Sequence, residues 1–155
     1  MTSVLFICHG NICRSTMAEF VMKDIIEKRG LSDEVYVESA ATTTEELGND
    51  TYPGTKRVLD AHGIPYTKRH ARQTAKRDYD KFDYIVAMDA ENLGGLRRIY
   101  GPDPEGKVSL LLDWTGVSRD IADPWYTGDF ETTYDDVEAG CIALAEHLAR
   151  SLKQR

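Results

Sequence analysis

A chain of 155 residues, 41% hydrophobic and 29% charged, has the length and composition of one soluble globular domain over residues 1–155, able to bury a core without disulfides or structural metal. A net charge of −7 excludes the basic footprint that nucleic acid or an acidic membrane surface requires. No apolar run has the length of a membrane span, the N-terminal run lacks the basic flank of a secretory signal, and three cysteines suit a reducing compartment, so a cytoplasmic protein without membrane insertion is expected.

The first element is Val4-Leu5-Phe6-Ile7, continuously apolar as a strand buried on both faces would be. Cys8-His9-Gly10-Asn11-Ile12-Cys13-Arg14-Ser15 follows, and a helical pattern begins at once. Ala18, Val21, Met22, Ile25 and Ile26 recur at helical spacing until Arg29-Gly30, and Thr16 and Glu19 have the spacing of a capping box. If Cys8 ends the strand and Ser15-Thr16 open the helix, the amides between them can converge on an anion, with the positive end of the helix dipole aimed at the same spot. That field favours a thiolate at Cys8, and Arg14 offers a planar fork to phosphate oxygens.

Val35-Tyr36-Val37-Glu38 alternates and reads as an edge strand, Ser39 to Tyr52 as a long polar loop, and Thr55 to His62 as a short helix closed by Gly63 and Pro65. Tyr84-Ile85-Val86-Ala87-Met88 is a second buried strand, and Asp89 can cap a helix running to Tyr100 that Gly94-Gly95 weakens. Val108 to Leu112 is the last strand, Asp113 to Asp129 a loop, and Val137, Cys141, Leu144, Leu148 and Leu152 lie on one stripe of a closing helix. This alternation implies right-handed crossovers and a doubly wound α/β domain: a four-stranded parallel sheet flanked by helices, with the first strand inside and the phosphate-binding loop after it. The switch point then falls at the carboxyl end of the first strand, where Cys8 stands.

Phosphoryl transfer to sulfur needs a proton donor for the leaving oxygen. Asp123, in Asp123-Pro124-Trp125-Tyr126, is the best placed, because its loop follows the last strand and the proline restricts the backbone before it. Asp113, Asp120 and Asp129 share that loop and can equally be turn formers. Cys13 shares a short loop with Cys8, so a sulfenic acid formed on Cys8 is expected to be captured by Cys13 as a disulfide. Cys141, on an apolar stripe, reads as core. No His and Cys cluster has the spacing of a zinc site, so neither a metal nor a cofactor is expected.

The stretch from Cys8 to Ser15 resembles the signature loop of the low-molecular-weight protein tyrosine phosphatases, in which a strand ends in Cys-x-x-Asn-x-Cys-Arg-Ser. The resemblance extends over nearly the whole chain. It implies hydrolysis of a tyrosine-phosphorylated protein or small aryl phosphate, with Cys8 as nucleophile, His9 through Ser15 around the phosphate, and Asp123 as general acid. It further implies a supporting network of Asn11, Ser15, Ser39 and His70 that holds the loop in shape, Trp125 and Tyr126 at the substrate rim, and a monomer or weak dimer. Two departures stand out: Thr16 where many members have proline, and Glu45 and Glu46 where many have a cleft-lining aromatic. An arsenate reductase of the same fold would need further cysteines, and none lies between Cys13 and Cys141. A phosphocysteine carrier of a sugar phosphotransferase system would have no use for Asp123.

Overall fold

Every residue of the first strand, β1 (Thr2–Cys8), is buried in the computed structural model, which describes residues 1–154. After it come α1 (Arg14–Lys28), β2 (Val35–Ala41), α2 (Pro53–Ala61), α3 (Lys76–Lys81), β3 (Tyr84–Ala87), α4 (Ala90–Tyr100), β4 (Val108–Leu110), a 3₁₀ turn over Leu111–Thr115, α5 (Pro124–Thr127) and α6 (Phe130–Lys153). The strands form one parallel sheet in the order β2-β1-β3-β4, so the chain leaves β1 in opposite directions for its two neighbours and the switch point lies at Cys8. The alternation of side chains along β1 builds two cores. Val4, Phe6 and Cys8 pack with α1 and α6, through residues such as Met17, Val21, Val137 and Leu144. Leu5 and Ile7 pack on the other face with Tyr79, Phe82, Leu96 and Tyr100.

Several elements depart from the sequence reading. β2 runs three residues further, to Ala41, because Ser39, Ala40 and Ala41 pair with Phe6, Ile7 and Cys8; small buried side chains hid this extension. β4 ends at Leu110 instead of Leu112, since Leu110 faces one core while Leu111 turns into the other through the 3₁₀ turn. The segment before β3 holds α3, which lacks an apolar period but buries Tyr79 and is followed by the fully buried Phe82. α1 begins at Arg14, with Cys13 as its N-cap and no capping side chain; Thr16 Oγ1 instead donates back to the carbonyls of Ile12 and Cys13, and Glu19 points elsewhere. An uncapped first turn leaves its amides available to an outside acceptor.

α6 and the 3₁₀ turn meet so closely that a Cβ at Gly140 would stand 2.4 Å from Leu111 Cγ. Gly140→Ala gains up to about 1 kcal/mol of helix propensity, yet overpacking against a fully buried leucine costs about 1–3 kcal/mol. The variant is therefore expected to unfold at lower urea than the parent, and an equal or higher midpoint would show that the helix can shift to make room.

Candidate active site

Cys8 closes β1 and lines a pocket together with Cys13, Arg14, Asp123 and Trp125. Two donors reach that sulfur. The amide of Asn11 donates to Cys8 Sγ at 3.3 Å, and Ser15 Oγ lies 3.0 Å from it. The loop can turn this tightly because Asn11 adopts the left-handed region, φ 61°, which asparagine tolerates better than most residues. Asn11 Nδ2 donates to Ser15 Oγ and to Ser39 Oγ, at 2.8 and 2.9 Å, and Ser39 in turn donates to Glu19 Oε1. The extension of β2 is what brings Ser39 beneath the loop.

Arg14 is only 2% exposed. Its Nη1 donates to Asp89 Oδ2 at 2.6 Å and to the carbonyl of Ile121 at 2.8 Å, and its Nη2 reaches Asp123 Oδ2 at 3.4 Å. Burial works against the charge on this guanidinium, but Cys8, Asp89 and Asp123 outweigh it and hold the group above its ordinary value. Asp89 thus has two tasks, because its other oxygen caps α4 through the amide of Asn92. Asp123 caps the short helix α5: its Oδ1 accepts from the amide of Trp125 at 3.0 Å, leaving Oδ2 directed at Arg14. Its loop is anchored by Ile121 N on the carbonyl of Met88 and by Thr133 Oγ1 on the carbonyl of Ala122.

The family description low molecular weight phosphotyrosine protein phosphatase matches residues 3–154. The chain belongs to this family. It is 43% identical over 146 residues to the low molecular weight protein-tyrosine-phosphatase YfkJ of Bacillus subtilis, covering 93% of this chain and 94% of that one. It is 36% identical over 158 residues to PtpA of Staphylococcus epidermidis, covering 100% of both. The crystal structure of YfkJ matches with a TM-score of 0.94 at 40% identity, covering 97% of this chain and 96% of that chain.

The other expected site residues of this phosphatase fall into distinct places. Gly10 and Ile12 line the pocket beside His9, whose ring is held by Glu45 at 2.8 Å and by Glu91 at 3.2 Å. Glu45 and Glu46 both stand at the mouth, and Glu46 accepts from Asn49 Nδ2. Trp125 and Tyr126 form the facing wall, with Trp125 set edge-on against Tyr52 at 5.1 Å between ring centroids. His70 does not join the network under the loop. It is exposed and its Nδ1 lies 3.0 Å from the carbonyl of Gly48, while the adjacent Arg69 makes the contacts to Asn11. Asp120 does not line the pocket that Asp123 lines, and accepts from the amide of Ala90. Sequence reasoning missed Asp89 as a partner of Arg14, Glu19 as the acceptor beneath Ser39, Tyr52, and Arg69. Asp89 and Glu19 carried a signal only as helix-capping residues, and Tyr52 and Arg69 carried none.

The second cysteine of the pocket is held as a thiol. Burial pushes the Cys13 thiol up to about 12, and the neighbouring Cys8 and Asp123 add to that, while burial also raises Cys141. A thiol raised that far is ionised in roughly one molecule in 10⁵ at neutral pH, and only the thiolate attacks. Iodoacetamide at about pH 7 is therefore expected to modify Cys8 alone in the folded phosphatase. Peptide mapping checks this, and label on Cys13 at a comparable rate would contradict it.

Proposed function

We propose that this phosphatase hydrolyses phosphotyrosine, on proteins or as small aryl phosphates, through a phosphocysteine on Cys8. The observation that carries the reading is the juxtaposition in one pocket of a sulfur that accepts from Asn11 and Ser15, the buried Arg14 fork, and the Asp123 carboxyl. Phosphate oxygens seat on the amides of the loop and of the first turn of α1, with Arg14 Nη2 as the free prong of the fork, its 3.4 Å bond to Asp123 being long and readily exchanged. Cys8 Sγ attacks phosphorus, the bond from phosphorus to the phenolic oxygen breaks, and Asp123 passes its proton to that oxygen. In the second half Asp123, now a carboxylate, takes a proton from water as the water attacks phosphorus, and the thiolate leaves.

Turnover of aryl phosphates by the parent beside Cys8→Ser and Asp123→Asn tests this sequence of events. Cys8→Ser is expected to lose at least about a thousandfold in kcat, and Asp123→Asn about 10²- to 10⁴-fold on phenyl phosphate but far less on a nitrophenyl ester, whose leaving group needs little protonation. Retained activity in Cys8→Ser, or equal losses of Asp123→Asn on both esters, would defeat the assignment.

Substrate choice falls to the rim. Glu45 and Glu46 place negative charge at the mouth, and exposed charges act on a ligand within a Debye length of roughly 8 Å at physiological salt. Phosphopeptides with basic flanks are accordingly preferred over those with acidic flanks. Replacing both glutamates by glutamine should shrink that ratio of kcat/KM at low salt by several-fold, about what partly screened pairs contribute. A ratio unmoved by the substitutions would place selectivity elsewhere.

A further inference from the structure

Every polar side-chain atom of Asn11 is engaged, and the identity of its partners settles which way its amide faces. Its backbone carbonyl accepts from Arg69 Nη1 at 2.8 Å, and its Oδ1 accepts from Arg69 Nη2 and from the amide of Arg72. A guanidinium and an amide N–H can only donate, so the atom facing them must be the oxygen. The NH₂ group then necessarily faces Ser15 and Ser39. Ser15 Oγ accepts from Asn11, which leaves its own hydrogen for Cys8 Sγ, while Ser39 sends its hydrogen to Glu19. A reversed Asn11 amide would draw the Ser15 hydrogen to itself and strip a donor from the sulfur.

Arg69 is held in place by the segment that runs beside the loop. Its amide donates to Asp50 Oδ1 at 3.2 Å, and the next turn is stitched to β2 by the pairing of Ala41 with Gln73. The guanidinium is half-buried and forms no ion pair among the described residues, although Arg14 and Arg72 both do. Burial lowers its ionisation, and Glu19, Cys8 and Asp50 act against that, yet an arginine stays charged at any pH at which a protein folds.

We propose that Arg69 is a positioning residue for the nucleophile: its fork fixes the Asn11 amide so that the Ser15 hydroxyl points at the Cys8 thiolate, and its unpaired charge flanks that thiolate. The proposal rests on the reading of Cys8 as the nucleophile. A permanent cation here keeps the lock in place at every working pH, and the grip on both oxygens of Asn11 holds the left-handed turn.

Alkylation of Cys8 by iodoacetamide across pH, read by peptide mapping, tests this with Arg69→Gln and Arg69→Lys beside the parent. Arg69→Gln should react about tenfold more slowly near about pH 6 and at the parent rate near about pH 9. Arg69→Lys keeps a charge and donors but not the two-pronged grip, and should be about threefold slower at the low pH. A variant that folds and matches the parent at low pH overturns the proposal, so the lysine variant decides should the glutamine variant not fold. A uniform loss at all pH values would mean a merely structural role and would equally overturn it. Turnover of an aryl phosphate is measured on the same samples. A parent that alkylates with the expected profile but turns over nothing would sink the phosphatase mechanism while leaving the role of Arg69 intact.

Discussion

A guanidinium removed from water is tolerated only when each of its donors finds an acceptor and its charge a counter-charge. Arg14 finds its acceptors and counter-charge in two separate parts of the chain: Asp89 after β3, and the loop before α5, which supplies the carbonyl of Ile121 and the carboxylate of Asp123. Those segments are distant in sequence and meet only because β1 and β3 are neighbours and the loop after β4 folds back across their carboxyl ends. Removing Asp89 would leave a buried charge short of a partner, a cost of about 3–5 kcal/mol where such pairs have been broken. The geometry of the pocket and the stability of this end of the sheet therefore share one ion cluster.

The parallel sheet makes that convergence possible. All four strands point their carboxyl ends the same way, and reversal of the winding at β1 opens a crevice there. Into it project the first turn of α1, whose leading amides have no intrahelical acceptor, and the Asp123 turn. Thr16 bonds backward to Ile12 and Cys13 instead of capping the helix, so the anion site is kept clear by the same residue that ties the loop to the helix.

Legibility in the sequence followed the strength of local constraints. β1, the loop and α1 could be read because a buried strand, a turn and a helix follow one another with no intervening residues, and β3 because its apolar run is uninterrupted. The strand order followed from the connections alone. What escaped was fixed by tertiary packing. Ser39-Ala40-Ala41 has no strand signature, and its conformation is set by register against β1. Neither Arg69 nor His70 lies in a regular element, so no period says which of the two faces the loop; the pairing of Asn49 with Ala71 and of Ala41 with Gln73 turns Arg69 inward and His70 out. The pair Gly94-Gly95 read as a weakness in α4, yet a Cβ at Gly95 would lie 2.9 Å from Thr42. Its lost helix propensity of about 1 kcal/mol is what close approach to Thr42, the residue after β2, costs.

An acidic protein that binds a dianion has to separate long-range from short-range electrostatics. The net charge of −7 repels phosphate at a distance, but that field is screened over roughly 8 Å in physiological salt. Inside the pocket the balance reverses, because oriented amides and Arg14 lie within bonding distance and the surrounding low dielectric strengthens them. The rim carboxylates do not undo this. Glu45 and Glu46 stand at the solvent-screened mouth, bonded to His9 and Asn49, and not among the donors that face the anion. Attraction limited to the pocket also selects what is attracted: a single phosphate group that enters the pocket reaches the donors, whereas a broad polyanionic surface meets only the repulsive exterior.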